Sequence, residues 1–337
     1  MKTIYVVIDE LISEPDAWET HLASILQGYI DSNDIQSEYQ VVEIKELSDL
    51  KSKFESATIS SQDIIVFPNA WTSFTLYAKH WSEIYKIPVK TLGCWSKGCY
   101  INTDPVFRPE GNRDWRKVFE RASFRCLDKS FFISEYFKEQ FRIYVSKIVF
   151  PDRLKVIPFP MDYLEIETAV LTNNFFKKDI VVFPWQTYTD FHEQVMYDFI
   201  RVFKDIQVIF AQHKAPLTRE QMQQQIAKAK VVFLPYDHPN LGKEIYECLL
   251  LNAIPLVPDI PGMEDFVPDE FKYPAEWTES IFKYSAFAPD LISKIKDLVE
   301  NYTLYKPLLE SHRQHLYEDY FDSEKIIHEI FGTINRN

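Results

Sequence analysis

Apolar residues along this chain gather into short continuous runs separated by longer stretches of mixed polarity. In the first half the runs are "TIYVVID" (3–9), "YQVVEI" (39–44), "DIIVFP" (63–68), "VKTLGCW" (89–95) and "KSFFIS" (129–134). They are short and rich in β-branched and aromatic residues, which predicts strands. Because they are apolar throughout rather than alternating, both faces should be covered, as in a parallel sheet between helices. Helical periodicity fills 16–30, a stretch ending near Ala57, and 73–86; a long connection separates 89–95 from 129–134. The second half repeats the scheme. Strands are predicted at "DIVVFP" (179–184), "IQVIFAQ" (206–212), "KVVFLP" (230–235) and "IPLVPD" (254–259), with helices at 191–204, 218–229 and 243–252. After Pro289 the chain reads as helical almost to its last residue.

Two such series predict an α/β protein of two Rossmann-like domains. The first covers 1–160. A linker follows at 161–178, where "PMDYLEIETAVLTNNFFKKD" loses periodicity, and the second domain covers 179–310. Residues 311–337 read as C-terminal helices able to pack back on the first domain. Three runs end in proline, at Pro68, Pro184 and Pro235, which stops a ladder and turns the chain outward. Ligands of open α/β sheets bind beyond the carboxyl ends of the strands. The loops "PNAWTS", "PWQTYTDFH" and "PYDHPNLGKE" are therefore expected to line a cleft between the domains.

Composition adds exclusions. The chain has 337 residues, 46% of them hydrophobic, enough for sizeable cores. With 37 Lys and Arg against 50 Asp and Glu the net charge is −13, a poor starting point for a general nucleic-acid binder. One segment departs from this balance: Lys97, Arg108, Arg113, Arg116, Lys117, Arg121 and Arg125 cluster between 97 and 125. They read either as a solvated helix face or as a patch for an anionic partner. The four cysteines form no Cys-x-x-Cys pair and have no matching histidines, so no metal site is expected. The opening apolar stretch is too short for a signal peptide, and no window reaches the length of a membrane span. A cytoplasmic location is expected, with reduced thiols.

The most informative stretch is "PYDHPNLGKEIYECLLLNAIPLVPDIPGMEDFV", Pro235 to Val267. It puts Glu244 and Glu247 at the start of a helix that runs directly into a strand. First-turn acids suit a helix dipole, which accounts for Glu244. Glu247 is harder to place that way, because Tyr246, Leu249 and Leu250 imply a buried surface around it. The stretch resembles the nucleotide-sugar site of GT-B glycosyltransferases of the glycogen-synthase-like, family 4 type. Their pattern is a Glu, seven residues, a second Glu on a helix, then a strand and a Pro/Asp-Gly turn. Glu247 matches the second Glu, Gly242 the internal glycine, and "IPLVPDIPG" the strand and turn.

This resemblance implies a GT-B fold, two Rossmann-like domains facing each other across a cleft, with the second domain holding a nucleotide-diphosphate sugar, UDP-sugar foremost. It implies that Glu247 accepts hydrogen bonds from the ribose, two hydroxyls side by side on one carboxylate. The helix start at Gly242, Lys243 and Glu244 would hold the diphosphate with free N–H groups, a dipole end and a lysine charge. Tyr236 and Thr187 sit in the flanking loops, and His213 follows "VIFAQ"; all three join the expected donor site. The pattern is broken at Pro239, where the first Glu belongs, and Asp237 or His238 could substitute. The sequence contains no Asp-x-Asp, which argues against the other main glycosyltransferase architecture and its bound metal. No cofactor is implied, and transfer would proceed without a metal ion.

A second resemblance, carried by "VPDIPGMEDFVPDEFKYPAEW", is to phage-encoded GT-B enzymes that glycosylate hydroxymethylated bases in DNA. It implies a 5-hydroxymethylated pyrimidine in DNA as acceptor and the host cytoplasm as location. Arg108, Arg113, Arg116 and Lys117 would guide the acceptor. Asp104, in the long loop after 89–95, and then His80 would be general base. Three alternatives stay open: a polysaccharide or small-molecule glycosyltransferase, a non-transferring GT-B-like epimerase, and a binding module.

Overall fold

The structure, a computed structural model, describes residues 1–10, 18–95, 98, 100, 114–145, 151–159, 176–184, 190–211, 216–235 and 243–335. The chain divides into two compact units, Met1–Asp162 with Glu318–Asn337, and Tyr163–Tyr317.

The first unit is built on six parallel strands, β1 (Lys2–Val7), β2 (Tyr39–Ile44), β3 (Ile64–Phe67), β4 (Lys90–Cys94), β5 (Lys129–Phe132) and β6 (Leu154–Val156). Their order is β2-β1-β3-β4-β5-β6. Ile4 of β1 lies opposite Val41 on one side and Ile64 on the other, so β1 is central and buried on both faces. Five helices follow the strands: α1 (Trp18–Ser32), α2 (Leu47–Glu55), α3 (Phe74–Ile84), α4 (Asp114–Cys126) and α5 (Glu135–Val145). An aromatic cluster fills the space beneath α4 and α5. The Phe141 ring lies 4.7 Å from Trp95, 5.0 Å from Phe132, 5.1 Å from Tyr100 and 5.2 Å from Phe124. Gly93 on β4 is dictated by packing. A Cβ there would stand 2.4 Å from Leu127 Cδ1 and 3.0 Å from the Ala70 Cβ.

Two acids at the amino edge of this sheet, Asp63 buried and Asp128 exposed, are structural. Asp63 accepts from the amides of Thr3 (2.6 Å) and Ser60 (2.7 Å), and Asp128 accepts from the amide of Thr91 (2.8 Å). Each ties the entry to one strand to the chain beside it.

The second unit carries β7 (Lys178–Phe183), β8 (Gln207–Phe210), β9 (Ala229–Phe233), β10 (Ile254–Asp259) and β11 (Lys272–Pro274), all parallel, in the order β11-β10-β9-β7-β8. Its helices are α6 (Asp190–Val202), α7 (Arg219–Lys228), α8 (Lys243–Leu250), α9 (Ile281–Glu300) and α10 (Tyr302–Leu316). Phe183 anchors the core, with ring centroids 4.7 Å from Phe210, 5.1 Å from Phe199 and 5.4 Å from Phe233. A capping box starts α7: the Gln221 amide donates to Thr218 Oγ1, and the Thr218 amide to the Gln221 side chain.

Lys177, just ahead of β7, performs an unusual duty at the amino edge of this sheet. Its Nζ donates to the carbonyls of Ala229 (2.6 Å), Leu251 (2.7 Å) and Ile226 (3.3 Å), at the carboxyl ends of α7 and α8. Helix ends leave such acceptors short of donors, and of the three only Ile226 is also met by a cap amide, that of Ala229. Burial pushes the ammonium down from 10.5 to about 7.

The last helix, α11 (Ser323–Ile334), belongs to the first unit. Its Ile326, Ile330 and Ile334 are buried. Glu329 receives Lys129 Nζ on one carboxylate oxygen and Lys155 Nζ on the other, both at 2.6 Å, and so ties α11 to β5 and β6. Burial alone would raise its carboxyl, but the two ammonium groups outweigh it and hold Glu329 below the ordinary range.

The structure adds elements that the pattern did not announce. Helix α4 occupies what the sequence reads as connection, α5 lies in a stretch given no element, and β6 and β11 are three residues each, too short to show a period. Helix α9 starts at Ile281 and runs through Pro289 rather than after it. Burial of Tyr284, Ala288, Leu291, Ile295 and Leu298 on one face outweighs the backbone hydrogen bond that the proline removes.

Candidate functional site

Strand order decides where a ligand can sit. In each unit the first strand is flanked by the second on one side and the third on the other, the 2-1-3-4-5 winding. The connections leaving the first and third strands therefore diverge to opposite faces, opening a crevice at their carboxyl ends. In the second unit the crevice lies beyond β7 and β9, and in the first beyond β1 and β3.

Beyond β9 the chain enters α8, whose first residue is Lys243. The eight-residue helix puts its amino end, whose first N–H groups have no partner within the helix, and the positive end of its dipole on the crevice side of the sheet. Glu244 in its first turn is exposed. Glu247, one turn on, is only 7% exposed and is set among buried Ile245, Tyr246, Cys248, Leu249 and Leu250. A carboxylate in such surroundings carries a solvation cost that hydrogen-bond donors must offset. Its field is felt locally: burial first, and then the charges of Glu247 and Glu244, push the Cys248 thiol well above its usual range. The turn after β10 adds a further constraint. Gly262 adopts φ 94°, in the region that favours glycine, and its amide donates to Glu264 Oε2 at 2.6 Å.

In the first unit the crevice holds a pair that the sequence did not single out. Asp9, two residues past β1 and 8% exposed, accepts a 2.7 Å hydrogen bond from Thr72 Oγ1 on the loop after β3. Thr72 Oγ1 also accepts from the Phe74 amide, and the Asn69 side chain from the Trp71 amide, so the loop is fixed by its own side chains. Unlike Asp63 and Asp128 at the amino edge, this carboxylate lies at the carboxyl edge, where α/β sheets hold ligands. The signal in the sequence was a polar residue directly after an apolar strand. Its importance required knowing that β1 and β3 are neighbours.

The remaining expected residues fall as follows. Gly242, Thr187, His213 and Tyr236 of the donor set, Asp104, Arg108 and Arg113 lie outside the described residues, as do Asp237, His238 and Pro239. His80 is exposed, nearly two turns along α3 from its first residue, and is not brought to Asp9 and Thr72. Arg116 and Lys117 stand in the first turn of α4, partly exposed. Among the described residues no cluster of His, Cys, Asp or Glu could hold a metal ion, and no helix is long and apolar enough to cross a membrane.

No protein-family model and no curated protein sequence matches the chain. Solved structures do. Alr3699/HepE of Anabaena in complex with UDP-glucose aligns over 100% of this chain and 98% of its own, with 12% identity and a TM-score of 0.52. A sucrose-phosphate synthase from Thermosynechococcus elongatus gives 10% identity and a TM-score of 0.65 over 100% of this chain and 98% of its own. An α-glucosyltransferase in complex with UDP and a 13-mer DNA containing an HMU base gives 11% and 0.52 over 99% and 98%. At such identities the likeness is one of fold, and it extends over both units. The expected GT-B architecture of two Rossmann-like units is thus the fold of this chain.

Proposed function

We propose that this protein is a glycosyltransferase that moves a sugar from a nucleotide-diphosphate sugar, UDP-sugar foremost, to a hydroxyl acceptor without a metal ion. The observation that carries the reading is Glu247, a buried carboxylate on the helix that opens at the β7/β9 crevice. On this reading its two oxygens accept the paired ribose hydroxyls, which offsets the cost of burying the charge. The amino end of α8 receives the diphosphate on backbone N–H groups, helped by Lys243. As the sugar departs, negative charge grows on the leaving phosphate, and fixed N–H dipoles and a cation stabilise it there. Two of the structures similar in fold hold UDP or UDP-glucose, which supports a uridine donor.

For the acceptor we propose a 5-hydroxymethylated pyrimidine in phage-type DNA. One structure of the same fold holds DNA with an HMU base, and the first turn of α4 carries Arg116 and Lys117. The acceptor hydroxyl must lose its proton. Asp9, held by Thr72 at the first unit's crevice, is a base of the right type and joins Asp104 and His80 as a candidate. Pro239, at the usual place of a carboxylate, keeps a second reading in view, a GT-B-like protein that binds the nucleotide without transferring sugar.

Calorimetry with UDP on the wild type and on Glu247→Ala tests the donor site. Loss of a charged hydrogen-bond acceptor should weaken binding by about 1.5–3 kcal/mol. Equal affinities would sink the assignment. Release of UDP from UDP-glucose on addition of hydroxymethylated DNA separates transfer from binding alone.

A further inference from the structure

Helix α4 carries a set of cations that the donor site does not use. Lys117, Arg121 and Arg125 recur every four residues and share one ridge of the helix, about 12 Å long at 1.5 Å per residue. Several other helix-borne cations of the first unit are neutralised by acids on their own helix: Lys79 by Glu83, Lys138 by Glu135, Arg142 by Glu139. Among the described residues none of the three ridge cations forms an ion pair, although the chain carries a net charge of −13. The one acid within the ridge's span, Glu120, is fully buried. Arg121 is fixed in place. Its Nη2 donates to the Tyr144 carbonyl at 3.1 Å, and its guanidinium lies 5.1 Å from the Tyr144 ring centroid.

At the amino end of the ridge stands an aromatic plate. Trp115 is 59% exposed, its ring 6.4 Å from Trp71, which packs in turn 5.0 Å from Phe119. The Arg116 guanidinium lies 5.6 Å from the Trp115 ring. Trp71 immediately precedes Thr72, the hydrogen-bond partner of Asp9, so the plate is continuous with the crevice of the first unit.

We propose that α4 is the track for a nucleic-acid strand, with phosphates along Lys117, Arg121 and Arg125 and an unstacked base against Trp115 beside Trp71. Evenly spaced, unneutralised cations match a linear polyanion. An exposed indole at their head supplies the stacking surface that single strands use. The large apolar side chains exposed on the helix are Trp115 and Val118, too few to anchor it in a bilayer. The proposal rests on the acceptor reading above, keeps Lys117 from it, and adds Arg121, Arg125 and Trp115, which the sequence resemblance left out.

The test uses the full chain and a short fluorescein-labelled DNA single strand, followed by anisotropy at about 50 and about 200 mM salt. Wild type should bind, more weakly at the higher salt. The double variant Lys117→Glu, Arg125→Glu spares the Arg121–Tyr144 contact. It should bind at least about tenfold more weakly, with the salt slope reduced by about 1.4. Trp115→Ala should weaken binding and remove most of the quenching of tryptophan emission by the strand. UDP affinity should be unchanged in every variant, which shows them folded. Unaltered strand binding by the double variant, or no binding by the wild type, overturns the track. So does co-sedimentation with phosphatidylglycerol-containing vesicles that needs the same cations while the strand does not bind. Strand binding in a wild type that fails to bind UDP or UDP-glucose would leave the track standing and remove the transferase reading instead.

Discussion

Lys177 makes the second unit's stability depend on pH in a calculable way. Its ammonium is buried against three carbonyls with no acid among them, and burial lowers it from 10.5 to about 7. Between those values the unfolded chain holds the proton and the folded chain does not. Stability must therefore rise with pH across this window, by about 1.4 kcal/mol per pH unit, and level off below about 7, where both states are protonated. From pH 7 to about 9.5 the gain is about 3 kcal/mol, allowing for half-protonation at the start. Lys177→Met removes the titration. It also takes the ammonium donor from three helix-end carbonyls, of which Ile226 keeps the Ala229 amide, while relieving the burial of a charge, for a net loss of about 1–3 kcal/mol at pH 7. The gap between wild type and variant should then widen by about 3 kcal/mol at about pH 9.5. The assay is urea unfolding of both proteins at the two pH values, read by hydrogen exchange of peptides covering β7 and β9 so that the signal comes from this unit. Taking the difference cancels the tyrosines and cysteines that also titrate. Parallel pH profiles would refute the reasoning, because the carbonyls would then be holding the ammonium charged against its desolvation.

Glu329 gives the opposite dependence. Its carboxyl is held low by Lys129 and Lys155, so its contribution is present above the ordinary carboxylate range and lost as pH falls through the folded value; Glu329→Gln should loosen α11 by about 1–3 kcal/mol at neutral pH and flatten the acid limb of a melting-temperature profile. Lys243→Ala should raise the donor KM more than it weakens acceptor binding; a change confined to the acceptor would put Lys243 outside the diphosphate site. Transfer should continue in EDTA, and full loss of turnover restored by manganese or magnesium would contradict metal-independent chemistry.

The sheets were legible because their strands are buried on both faces. "DIIVFP" and "DIVVFP" could hardly be anything but interior strands, and β3 and β7 fall within them. Helix α4 was hidden for a physical reason. Its outer face carries Arg and Lys beside Trp115 and Val118, so the apolar stripe that marks a packed helix is blurred. Glu247 stood out through its neighbours, since a carboxylate amid Tyr and Leu breaks the expected polarity, and it is indeed buried. Asp9 did not stand out, because an acid after a strand is ordinary. What distinguishes it is Thr72, sixty-three residues away in sequence and adjacent only once β1 and β3 pair. Lys177 sat in the segment read as linker, and nothing local announces that three carbonyls from two helices converge on it.

The lysine pair on Glu329 also bears on how the molecule is made. The first unit is interrupted: its last helix is translated only after all of Tyr163–Tyr317. Until then β5 and β6 present Lys129 and Lys155 without their carboxylate, and the surface that receives Ile326, Ile330 and Ile334 is bare. The unit translated first is therefore the one finished last, while the second unit, continuous in sequence, can close on its own schedule. A premature stop within the final twenty residues would spare the second unit and leave the opening strands of the chain exposed to whatever else is in the cell.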